Sequence, residues 1–137
     1  MRVDRGVPRM AVAGVALAAG MAFATAAWAQ GEWKAPADAH ALKNPIKKLD
    51  PKALDDAKRT VDANCMPCHG TNYKGDGPAA AALPTKPADW TSEKVQRQTD
   101  GEIFWKISNG RGAMPPWGSL PEKQRWEIVS FIRTLKK

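Results

Sequence analysis

The sequence predicts an all-α fold, a few short helices joined by long loops in one small domain. Three observations carry this. Apolar residues recur at helical spacing in three segments, each preceded by residues that cap helix starts. No segment alternates apolar with polar residues as a half-buried strand would. Between the first two helical segments, Gly70, Gly75, Gly77, Pro78, Pro84 and Pro87 break the chain into loop.

Residues 1–29 read as a secretory signal peptide. Arg2, Arg5 and Arg9 make a basic start, Met10 to Ala27 an apolar stretch, and Ala27-Trp28-Ala29 a cleavage site. The rival reading is an uncleaved membrane anchor, for which a stretch holding Gly14, Gly20 and Thr25 is short and weakly apolar. Processing after Ala29 makes Gln30 the new N-terminus and leaves 108 of the 137 residues. It removes three basic residues and one acidic residue, taking the formal charge from +7 to +5. No later segment reads as a membrane span, so the exported chain is expected to be soluble and periplasmic. Its lysines are scattered, with no basic run interleaved with aromatics, which speaks against nucleic acid. Such charge suits docking to acidic surfaces of redox protein partners, or solubility alone.

Gln30 to Leu49, with Pro36, Pro45 and no apolar periodicity, reads as an extended N-terminal arm holding at most a turn of helix. The main domain follows over residues 50–137. Asp50 is a good N-cap and Pro51 suits the first helical position, so Leu54, Ala57 and Val61 fall on one stripe of a helix over about 51–64. Gly70 to Pro87 is mostly loop, with a helical turn expected near Pro78 to Ala82. Thr99 and Glu102 form a capping box ahead of Ile103, Phe104 and Ile107, and Gly110 stops that helix. Ser119 and Glu122 are expected to form another ahead of Trp126, Val129 and Ile132.

The chemistry lies in Cys65-Met66-Pro67-Cys68-His69, which holds the only two cysteines of the chain. A Cys-x-x-Cys-His run is the attachment signature of c-type haem: two thiols add across the porphyrin vinyl groups, and the adjacent imidazole binds iron from one face. A disulfide or thioredoxin-like pair needs no adjacent histidine and would sit in a βαβ pattern that is missing. A zinc site wants four N or S ligands, and the only other histidine, His40, is far upstream. For the opposite face of the iron, the exported chain offers two methionines. Met66 lies between the attaching cysteines, on the side of His69. Met114 sits in Gly110-Arg111-Gly112-Ala113-Met114-Pro115-Pro116-Trp117, where glycines and prolines favour a rigid loop that can press a thioether onto iron. The alternatives are a core methionine filling a gap, with His40 as rival sixth ligand.

With these residues assembled, the chain resembles the class I c-type cytochromes, above all the small bacterial monohaem forms related to cytochrome subunits of haem-copper oxidases and periplasmic dehydrogenases. The resemblance covers roughly residues 50–137: Cys65-Met66-Pro67-Cys68-His69-Gly70, the Gly75-Asp76-Gly77-Pro78 loop, Gly110 through Pro115, and the closing helix with Trp126. It departs at Val61, where the family tends to carry an aromatic. The resemblance implies a cytochrome c fold wrapped around one covalently attached haem c, with Cys65 and Cys68 as thioethers, His69 as proximal ligand and Met114 as distal ligand. It further implies that the carbonyl of Pro78, or of its competitors Pro84 and Pro87, accepts the His69 ring N–H.

Two filled axial positions leave no open site for substrate, so the expected role is a one-electron carrier rather than an enzyme. The alternative is a dedicated cytochrome subunit of a periplasmic oxidoreductase. Trp90, Phe104, Trp105, Ile107, Trp117 and Trp126 are candidates for the apolar wall around the haem. Arg111 is a candidate partner for a propionate, and Lys74 and Lys86 for the rim of the exposed porphyrin edge.

Overall fold

The computed structural model describes residues 31–137. The expected signal peptide therefore lies outside the described residues. Six helices follow in order: α1 (Ala37–Ala41), α2 (Pro51–Asn64), α3 (Met66–His69), α4 (Glu93–Gln96), α5 (Asp100–Asn109) and α6 (Glu122–Thr134), with a 3₁₀ turn at Ala80–Ala82 after α3. Among the described residues there is no β-strand, only an isolated bridge between Arg111 and Met114. The fold is all-α, as the sequence predicts.

Helix α2 begins where its capping signals place it. The Asp50 carboxylate accepts the Ala53 N–H at 2.8 Å, and Pro51 occupies the first turn, where its missing N–H costs nothing. Ala57 and Val61 are buried on its inner stripe, packed against α6. Its outer face carries Lys52, Asp55, Asp56, Lys58, Arg59 and Asp62, which pair with one another one turn apart. Such exposed pairs add little stability.

Helix α5 has a reciprocal cap. The Glu102 N–H donates to Thr99 Oγ1 at 3.2 Å, while Glu102 Oε2 accepts the Thr99 N–H at 2.6 Å. It ends at Gly110, whose φ of +62° suits glycine. The start of α6 differs from expectation. Ser119 caps nothing; the residue before the helix is Pro121, which offers no side-chain cap. A proline disfavours helical geometry at the preceding residue, so α6 cannot begin before Pro121. Leu120 instead turns back, its N–H donating to the Trp117 carbonyl at 3.0 Å. Glu122 is occupied elsewhere, with Oε1 accepting the Trp126 indole N–H at 3.3 Å.

The core is the contact of α2, α5 and α6: Ala57 and Val61, Ile103, Phe104 and Ile107, then Trp126, Val129 and Ile132. Trp126 stacks on Phe104 with ring centroids 3.9 Å apart.

The N-terminal arm is less extended than its sequence suggests. It contains α1, and both Ala35 and Ala39 are buried. Helix α1 packs on α5 because residue 101 is glycine: a Cβ there would lie 1.9 Å from the Ala39 carbonyl oxygen. Asn44 then donates through Nδ2 to Ser130 Oγ at 2.9 Å, and Ile46 packs against the core. Gly101→Ala is therefore expected to destabilise the protein by about 1–3 kcal/mol, the cost of overpacking a close contact. Denaturant unfolding would measure it.

Candidate haem-binding site

The end of α2 and the single turn of α3 present the motif. The Cys65 N–H closes the last turn of α2 on the Val61 carbonyl at 2.8 Å. The His69 N–H then bonds the Cys65 carbonyl at 2.8 Å, bringing both cysteines and the histidine onto one turn of backbone. Both thiols are free and half-buried. Burial, reinforced by neighbouring Cys68 and Asp62, pushes the Cys65 thiol up to about 12.

A loop folds back to support this turn. Gly70 has φ +78°, and a Cβ there would lie 2.0 Å from Asp76 Oδ1. At Gly77 a Cβ would meet the Pro67 and Met66 carbonyls at 2.4 and 2.6 Å, so only glycine lets the loop lie against the motif. The Gly77 N–H bonds the Cys68 carbonyl at 3.1 Å, and the Ala79 N–H bonds that of Pro67 at 2.9 Å.

His69 is buried, its Nδ1 3.1 Å from the Ala88 carbonyl oxygen. The acceptor is thus neither Pro78, Pro84 nor Pro87, but the residue following Pro87. Gly75 packs against the Pro87 carbonyl, where a Cβ would come within 2.0 Å, and this fixes the chain just ahead of Ala88. Burial drives the His69 pKa down, with the Ala88 carbonyl opposing it. The imidazole is then neutral near pH 7, with Nδ1–H donating to Ala88 and the Nε2 lone pair left for a metal.

Trp90 is the residue beside His69 that the sequence placed only in a general apolar wall. Its ring centroid lies 4.4 Å from the imidazole, and its other ring neighbour is Tyr73, stacked at 5.9 Å. The Trp90 N–H donates to the Tyr73 carbonyl at 2.8 Å. Gln96 in α4 donates through Nε2 to the carbonyls of both Trp90 (2.7 Å) and Ile132 (3.0 Å), joining this loop to α6. The run Pro87-Ala88-Asp89-Trp90 was the signal available, but a backbone acceptor leaves no mark of residue type.

Met114 lies on a separate loop, half-buried against the core. Arg111 and Met114 exchange two backbone hydrogen bonds of 2.9 and 3.0 Å, closing a tight turn. Gly110 makes that turn feasible, since a Cβ there would sit 2.4 Å from the Met114 carbonyl oxygen. The Trp117 N–H returns the chain to α5 by bonding the Ile107 carbonyl at 3.0 Å. His40, the rival ligand, is on α1, its Nδ1 3.6 Å from Glu102 Oε2. The Arg111 guanidinium lies over the ring of Trp33 at 5.9 Å.

Two free thiols one helical turn apart, next to a buried neutral imidazole with one oriented nitrogen, suit a porphyrin carried through thioethers. The all-α fold and this turn define a class I c-type cytochrome. Residues 52–132 match the family described as cytochrome C oxidase, cbb3-type, subunit III, and the chain belongs to that family. No curated protein matches the chain. Among solved structures it is similar to a chain of the Kuenenia stuttgartiensis reducing HAO-like protein complex Kustc0457/Kustc0458, with a TM-score of 0.59 and 21% identity. The match covers 70% of this chain and 50% of that one, and it is a likeness of fold. Membership of the family implies a domain that carries haem c.

Trp90 is 6% exposed and in ring contact with both His69 and Tyr73. Trp90→Ala is expected to lower stability by about 3–5 kcal/mol, as truncation of a buried tryptophan does. Equilibrium unfolding of the purified variant would show it.

Proposed function

We propose that the protein is a periplasmic one-electron carrier with a single haem c, attached through Cys65 and Cys68 and ligated by His69 and Met114. The observation that carries this is the hydrogen bond from Nδ1 of the buried His69 to the Ala88 carbonyl, because it readies the other ring nitrogen for iron. When bound, the haem supplies a reversible ferrous–ferric couple. The chain does the rest. Ala88 and Trp90 hold the imidazole plane, and the Arg111–Met114 turn holds the thioether. A thioether donor and a dry apolar wall both favour the reduced, less charged state and so raise the potential. Were His69 and Met114 both to hold the iron, substrate would have no place on it, which supports a carrier rather than an enzyme.

In this reading residues 1–29 direct export, 30–49 form the arm and 50–137 the haem domain. No helix among the described residues is long and apolar enough to cross a membrane. Partner docking falls beside the attachment turn. There a cleft of about 300 Å³ is lined by Gly75, Ala80, Ala81, Leu83 and Lys86, with Lys74 exposed nearby in sequence. Small apolar side chains with basic neighbours suit an acidic redox partner.

The second reading, a dedicated subunit of a periplasmic oxidoreductase, is favoured by the family description, which names an oxidase subunit, and by a structural neighbour from a protein complex. Size exclusion of the protein from its native host separates the two: a carrier elutes alone, a subunit elutes with its enzyme. The distal assignment is tested by Met114→Ala. The weak near-red absorption of a sulfur–ferric iron bond is expected to vanish, and reduced protein to bind carbon monoxide quickly. Persistence of that band would overturn Met114 as ligand.

A further inference from the structure

The arm ahead of α2 lies outside the segment shared with the family, yet it reaches the loop that carries Met114. We propose that Trp33 is a positioning residue for that loop, holding the Met114 thioether in place through Arg111. The proposal rests on the reading of Met114 as the distal ligand.

Three observations support it. First, Trp33 is half-buried and takes two cations on its ring, Lys106 Nζ at 5.6 Å and Arg111 Cζ at 5.9 Å. Both distances lie within the range in which a tryptophan face attracts a cation. Lys106 is fixed on α5, where its Nζ also donates to Gln98 Oε1 at 2.6 Å, so the indole joins a rigid helix to a loop. Second, Arg111 is the backbone partner of Met114 in both directions, so whatever restrains Arg111 restrains the ligand. The turn needs such restraint. Gly110 and Gly112 flank Arg111 with φ of +62° and +58°, and glycine gives the chain access to other conformations. Third, the arm is itself anchored, by Ala39 against Gly101, His40 beside Glu102, and Asn44 on Ser130. Trp33 therefore belongs to a body already docked on α5 and α6. Two positive groups close together repel, and the electron-rich ring they share offsets that repulsion.

The test uses the full-length haem-loaded protein and carbon monoxide as probe, since the gas reaches ferrous iron only when the distal side chain has left. Trp33→Ala is expected to raise the carbon monoxide association rate roughly five- to thirtyfold, the range two exposed cation–π contacts would give. Trp33→Phe, which keeps a ring face, should restore most of the wild-type rate. Lys106→Gln, which removes one cation and spares the indole, should give a smaller rise, and it serves if Trp33→Ala does not fold. Lys52→Gln, on the exposed outer face of α2, touches neither the arm nor the loop and should leave the rate unchanged. An unaltered rate in Trp33→Ala or Lys106→Gln, with a lowered unfolding midpoint, would assign Trp33 a purely structural role and overturn the proposal. An equal rise in Lys52→Gln would overturn it too. Met114→Ala separates the two levels. If it binds the gas no faster than the wild type, the ligand assignment itself fails; if it binds faster while Trp33→Ala does not, only the role of Trp33 fails.

Discussion

The hydrogen bond between His69 and the Ala88 carbonyl is the constraint on which the site depends. A buried imidazole with two unfixed nitrogens could present either tautomer and several ring orientations. One fixed carbonyl removes that freedom, and it has to be delivered from 19 residues further along the chain. The loop therefore has to run out from the attachment turn and come back at a set height. Gly70, Gly75 and Gly77 allow this, since each lies where a methyl group would strike polar atoms of the loop or its support. Tyr73 accepts a φ of +58° within the same loop, a conformation rare for a bulky residue, and its carbonyl holds Trp90.

Support for the site is divided between two regions of the core. The His69 side leans on Trp90, Tyr73 and Phe131, rings that touch in series. The Met114 side leans on α5, through the Gly110 turn and the bond from Trp117 to Ile107. Helix α6 packs against both α2 and α5, with Val129 and Ile132 fully or nearly fully buried. Burial of apolar side chains in these contacts, rather than the surface ion pairs of α2, dominates the stability of a domain this small.

Elements specified by local chemistry were legible in the sequence. Asp50-Pro51 and Thr99 with Glu102 set helix starts to the residue, and Gly110 set an end, because caps act over three or four positions. The Cys-x-x-Cys-His run was legible for the same reason. Ser119 with Glu122 misled because a capping box ignores the proline between them, whose ring bars helix at Leu120. The acceptor for His69 was expected at Pro78, or at Pro84 or Pro87, and lies at Ala88, since a carbonyl belongs to every residue and only tertiary geometry selects it. Packing of the arm was illegible because it hinges on an absent side chain, that of Gly101, and on partners more than 50 residues away in sequence.

The Gln96 amide bonds at once to the backbone behind Trp90 and to the backbone of Ile132 near the C-terminal end. Separation of the closing helix from this loop would cost the amide one of its two part-buried acceptors, a loss that neither segment escapes by moving alone. Order around the imidazole and order at the tail of the polypeptide are thereby made a single cooperative unit. The ring nitrogen that Ala88 leaves free owes part of its steadiness to residues some 60 positions downstream.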